Sequence, residues 1–114
     1  MSQDVVLSAA EIAQALQTLP GWEEREGWLV RKFKTPGWPH TLMLVNTIGY
    51  VAEAADHHPD LEVGYAQVKV KIQTHRVLAI TASDVALAAQ IESVALWQPA
   101  TDSPLAGYPK KWVH

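Results

Sequence analysis

The chain has 114 residues, 48% hydrophobic and 18% charged, with a formal net charge of −3, enough for one soluble globular domain with its own core. The absence of cysteine excludes disulfides, thiolate nucleophiles and thiolate metal ligands, and no basic cluster exceeds Lys110-Lys111, which argues against nucleic-acid binding. No apolar run approaches the roughly 18 residues of a membrane span, and the opening MSQDVVLSAAE lacks the features of a secretory signal, so a cytoplasmic protein with no membrane partner is expected.

Ser8 and Glu11 form a capping box, with Leu7 and Ile12 placed as a hydrophobic staple. Ile12, Leu16 and Leu19 share one face, and Pro20-Gly21 stops this first helix. Trp22–Glu26 and Trp28–Lys34 read as two strands about a turn at Gly27. The second strand alternates better, setting Leu29, Arg31 and Phe33 against Trp28, Val30 and Lys32. Thr35-Pro36-Gly37-Trp38-Pro39 reads as loop, because each proline disfavours helix in the residue before it. A helical period runs from His40 to Asp56, with Pro39 acceptable in its first turn. Its wide apolar face holds Leu44, Val45, Ile48, Val51, Ala52 and Ala55. Gly49 implies close packing, and Pro59 ends the segment.

Leu61–Tyr65 and Val68–Thr74 read as a hairpin, in which Val68, Val70 and Ile72 alternate with Lys69, Lys71 and Gln73. Thr81 and Asp84 repeat the capping-box chemistry, with Ile80 and Val85 as a second staple. Leu87, Ala88, Ile91, Val94 and Ala95 give the last helix its buried stripe. From Trp97 the chain carries three prolines and no period. The order α-β-β-α-β-β-α implies an α+β fold, a four-stranded and mainly antiparallel sheet with helices on one face.

The chemistry concentrates between Glu53 and Asp84, which enclose His57, His58 and His75. His57 and His58 leave a helix whose partly negative C-terminus favours an imidazolium, and either Glu53 or Asp56 could orient a ring. His75 ends its strand on the parity of Lys69 and Lys71, away from the valine face. Asp84 is explained first by its helix cap and only second as support for a site. A metal reading takes Glu53 and His57 at i, i+4 spacing with His58 or His75, but adjacent histidine side chains diverge, and no metal is expected. Imidazoles exchange protons near neutral pH, so three of them suit general acid and base roles.

Glu53, three residues, His57-His58-Pro59, five residues, Tyr65, nine residues, His75, eight residues and Asp84 together resemble the signature of the pterin-4a-carbinolamine dehydratase family. The resemblance extends more loosely back to Gly21-Trp22 and covers the chain to about Val94. It implies dehydration of a 4a-hydroxy-tetrahydropterin to a quinonoid dihydropterin, which recycles the pterin of an aromatic amino-acid hydroxylase without a cofactor. It implies His57, His58 and His75 as the proton-transfer set, supported by Glu53, Asp84 and Pro59. Trp22 lines the pterin pocket or belongs to the core, both readings being open. Dimers or tetramers are implied as well.

The family's chains usually end near the last helix, so residues 97–114 are an extension to a 1–96 domain. Tyr108, Trp112 and Val113 are too apolar to stay in water, and they are expected to dock on their own domain or a neighbouring subunit. Thr35, Trp38, Leu61 and the glycine-free Arg76–Ile80 loop depart from the family's usual residues. A regulatory or dimerisation module, or a dehydratase of molybdopterin metabolism, are the alternative functions.

Overall fold

The computed structural model describes residues 5–107 and 110–114. Helix α1 (Ala9–Leu16) is followed by strands β1 (Trp22–Arg25) and β2 (Trp28–Lys34), then helix α2 (Trp38–Ala55). Strands β3 (Asp60–Gly64) and β4 (Gln67–Ile72) precede helix α3 (Ala82–Ala95). The strands form one antiparallel sheet in the order β1-β2-β4-β3. This is the expected α+β architecture, with a central β2–β4 pair made by two hairpins that meet side by side. Among the described residues, no helix is long and apolar enough to cross a membrane.

Local chemistry explains each element. The Ser8 and Glu11 capping box opens α1, with Glu11 N–H donating to Ser8 Oγ at 3.1 Å. Glu26 and Gly27 both take positive φ (51° and 85°), the two-residue turn whose twist matches an antiparallel hairpin. Alternation then sorts β2 and β4 so that Leu29, Phe33, Val68, Val70 and Ile72 face the helices, all fully buried. They pack with Leu44, Ile48, Leu87, Ala88 and Ile91 into one core, at about 1.5–3 kcal/mol per large side chain removed from water. Arg31 shares that face, where its Nε and Nη2 donate to Glu92 Oε1 and Oε2, each at 3.2 Å, and its guanidinium covers the Phe33 ring.

Several boundaries and faces differ from expectation. Helix α2 begins at Trp38, two residues early, because Pro39 lacks only an N–H that a first turn leaves unbonded anyway. Gly49 is exposed with open space around it rather than closely packed. Ala55 and Val94 point outward, since Leu44, Ile48, Val51 and Ala52 on one helix and Leu87, Ala88 and Ile91 on the other already fill the interface.

Beyond α3, the chain makes a short 3-10 turn, Pro104–Gly107, and its last residues return to the sheet. Val113 is buried among core residues and Trp112 packs beside it, against the His40 ring at 5.2 Å. Lys34 N–H donates to the His114 carbonyl at 2.7 Å, and His114 N–H donates to the Lys34 carbonyl at 2.9 Å. The pairing of β1 with β2 stops at Trp22 and Arg31, so the tail satisfies a stretch of β2 that β1 does not reach. Tyr108 lies outside the described residues.

Candidate active site

The site starts from the way α2 ends. Asp56 adopts the left-handed conformation (φ 51°, ψ 42°) that usually selects glycine but is tolerated by aspartate. Its N–H donates to the Glu53 carbonyl at 3.2 Å, and the His57 N–H donates to the Ala52 carbonyl at 3.1 Å, the pair of bonds that defines a Schellman stop. The reversal aims two consecutive histidines in different directions. His57 turns in towards the start of α3, with its side chain 20% exposed, and His58 turns out, 54% exposed. Pro59 follows, half-buried, and leads into β3.

Asp84 is fully buried and serves both structures at once. Its Oδ2 accepts from Thr81 N–H at 2.8 Å and from Thr74 Oγ1 at 2.7 Å, closing the N-terminal cap of α3. Its Oδ1 lies 2.6 Å from His57 Nε2. An ionised carboxylate can only accept, so opposite one Nε2 is the donor, and in a neutral ring that leaves the lone pair on Nδ1. Glu53 repeats the arrangement at the surface, with its Oε1 2.8 Å from His58 Nε2. Neither Glu53 nor Asp56 holds His57. That role falls to Asp84, while Glu53 holds His58.

These residues enclose a cleft of about 170 Å³ lined by Asp56, His57, His58, Gln73, Thr74, His75 and Arg76. His75 is exposed, on the lysine parity, and meets the Trp28 ring edge-on at 6.2 Å. Lys71 Nζ lies 4.8 Å from the centre of the same ring, so Trp28 meets both a cation and an imidazole. The three histidines therefore line one cleft, with Glu53 and Asp84 behind two of them. Among the described residues, no group of three histidine, aspartate or glutamate side chains is arranged to hold a metal.

Trp22 lies elsewhere. It is 6% exposed, its Nε1–H donates to Glu92 Oε1 at 2.7 Å, and its ring meets Phe33 edge-on at 6.4 Å. It lines neither cleft that contains His57, and its place is the core, where Glu92 satisfies an indole N–H that would otherwise be stranded. Thr74, Gln73, Arg76 and Trp28 were not anticipated. Thr74 carries a readable signal, a hydroxyl at a core-facing strand position, which calls for a buried acceptor.

A second cleft, of about 720 Å³, opens between α2 and α3 and shares Asp56, His57 and Arg76 with the first. Tyr50, Val51, Ala54 and Ala55 form its α2 wall, and Ser83, Ala86, Leu87 and Gln90 form its α3 wall.

Residues 5–94 match the sequence profile of the family described as pterin 4 alpha carbinolamine dehydratase. A protein of Aquifex aeolicus (strain VF5), provisionally named pterin-4-alpha-carbinolamine dehydratase, is 42% identical over 88 residues, covering 77% of this chain and 89% of that protein. One of Xanthomonas oryzae pv. oryzae with the same provisional name is 39% identical over 89 residues, covering 76% and 75%. Among solved structures, a transcriptional coactivator/pterin dehydratase from Brucella melitensis superposes with a TM-score of 0.75 at 26% identity, over 79% of this chain and 98% of that one. A pterin dehydratase-like RuBisCO assembly factor of the alpha-carboxysome, at TM-score 0.53 and 16% identity over 75% and 87%, shares the fold alone. With a profile spanning most of the chain and relatives at this identity, the chain belongs to the pterin 4 alpha carbinolamine dehydratase family.

Proposed function

We propose that this chain dehydrates a 4a-hydroxy-tetrahydropterin, with His57, His58 and His75 as its proton-transfer groups. The observation that carries this reading is the 2.6 Å contact between His57 and the buried Asp84, inside a cleft shared with two further histidines. In the reaction, the C4a–O bond breaks as its hydroxyl takes a proton and leaves as water. The N5–H gives up its proton, and its electron pair completes the C4a–N5 double bond of the quinonoid dihydropterin. One proton is supplied and one removed, and no electrons change hands. A histidine whose Nε2–H is fixed by a carboxylate presents Nδ1 to accept a proton and is stabilised once it becomes the imidazolium. Positioned transfer of this kind is worth roughly 10²–10⁴-fold in rate.

The product is the form that a reductase returns to a pterin-dependent hydroxylase, so recycling in the cytoplasm is the expected setting. Within this reading, residues 1–96 carry the reaction and 97–114 form an extension that braces the sheet and the start of α2. A second reading, binding to another protein or to further copies in a homodimer or homotetramer, is favoured by the exposed Leu42, Met43 and Tyr50 on α2. The coactivator in the name of the Brucella relative points the same way.

The test is a dehydration assay on freshly generated 4a-carbinolamine, with the spontaneous rate subtracted. His57→Ala, His58→Ala and His75→Ala should each fold, and at least two should lose roughly 10²-fold or more in rate. If all three stay within about threefold of the parent while folded, the binding reading replaces this one.

A further inference from the structure

We infer that the cleft between α2 and α3 is a subsite for the pterin's C6 substituent, and that the substituent it takes carries an aryl group, as in pteroyl compounds. The inference rests on the dehydratase reading above and adds the substrate class to it. Small-molecule sites usually occupy about 300–1,000 Å³. The histidine cleft, at about 170 Å³, falls below that range and is suited to only part of a ligand. The larger cleft, at about 720 Å³, falls inside it and shares Asp56, His57 and Arg76 with the histidine cleft. A bicyclic head held at the histidines therefore has its continuation along the helices.

The walls specify the chemistry of that continuation. Ser83, Ala86, Leu87 and Gln90 follow the i, i+3, i+4, i+7 spacing of one α3 face, so the slot runs about 10 Å along the helix. Ala54, Ala55 and Ala86 keep its middle free of bulky side chains over a floor of Val51 and Leu87, while Ser83 and Gln90 add polar groups along the α3 wall. Tyr50, 77% exposed at the far end, offers a ring face for offset stacking. Gln90 lines the same cleft and offers an amide donor of the kind that an aminobenzoyl carbonyl would accept. A methyl group or a three-carbon hydroxyalkyl chain would leave most of this slot to water.

The experiment measures dissociation constants for 6-methyl-7,8-dihydropterin and 7,8-dihydrofolate, with sedimentation on the same samples. The parent should bind dihydrofolate at least about tenfold more tightly. Ala86→Phe and Ala54→Phe, each filling the slot from an exposed helix position, should bring that ratio to about one. A parent ratio near one, or a ratio unchanged in both variants, overturns the inference. So does a variant that changes the sedimenting mass, because the groove is then a contact between copies. Turnover of 4a-hydroxy-6-methyl-tetrahydropterin separates the two levels. Its absence sinks the dehydratase reading itself, whereas its presence with a ratio of one sinks only the substituent site.

Discussion

Asp84→Asn isolates the charge of one carboxylate without changing its shape. In the parent, Oδ2 receives donors from Thr81 N–H at 2.8 Å, Thr74 Oγ1 at 2.7 Å and Thr81 Oγ1 at 3.4 Å, while Oδ1 lies 2.6 Å from His57 Nε2. The single oxygen of an asparagine should stay with the three donors. Its NH2 then faces His57 and forces Nε2 to accept, which drives the ring proton to Nδ1, the nitrogen that the proposed mechanism uses as a base. Replacing charge-assisted bonds by neutral ones, partly offset by the easier burial of an amide, should cost about 1–3 kcal/mol. That lowers Tm by roughly 5–10 °C. The wrong tautomer should cost far more in catalysis, about 10²–10⁴-fold in kcat with KM little changed. In a His57→Ala background, the same substitution should lose its catalytic effect and keep its stability effect. A folded Asp84→Asn variant with kcat within about threefold of the parent would show that Asp84 caps a helix and nothing more.

Three further outcomes follow from other parts of the molecule. Val113→Ala removes two buried methyl groups from the docked tail and should cost about 2 kcal/mol, seen as a lower Tm, and an unchanged melt would mean the tail is not seated. Gly49→Ala meets no atom within 4 Å and should raise stability by about 1 kcal/mol through helix propensity, whereas a drop would reveal a partner covering that face. Dehydratase activity should survive exhaustive chelation, because Glu53 and Asp84 each engage a histidine separately. Loss on chelation that zinc restores would refute the acid–base mechanism.

The fold was legible wherever a local rule had no competitor. Both capping boxes, the Gly27 turn and the strict alternation of Val68, Val70 and Ile72 left one outcome each, and the sheet followed from them. The start of α2 was misjudged because two rules meet at Trp38-Pro39, and the tolerance of a first turn for proline prevailed over its effect on the preceding residue. The gathering of the histidines was readable from their spacing, but their partners were not. Asp84 meets His57 across 27 positions of chain, and that contact depends on how α2 packs against α3. Trp22 illustrates the opposite limit: a tryptophan beside a turn suits a pocket or a core equally, and only Glu92, 70 residues away, decides between them.

The β3–β4 hairpin fixes the distance between the two halves of the site from its far end. His58 lies two residues before β3 and His75 three residues after β4, and the strands are joined by Tyr65 and Ala66 alone. That turn is anchored, since the buried Thr41 hydroxyl donates to the Tyr65 carbonyl at 2.9 Å and Thr35 N–H donates to the Ala66 carbonyl at 3.0 Å. Adding or removing one residue within either strand would shift His75 by about 3.3 Å relative to His58 and present it on the opposite face. Lengthening the turn itself would leave both strands in step. The chain can therefore vary its composition between Pro59 and Thr74 far more freely than its length, and any insertion compatible with the site belongs at Tyr65-Ala66.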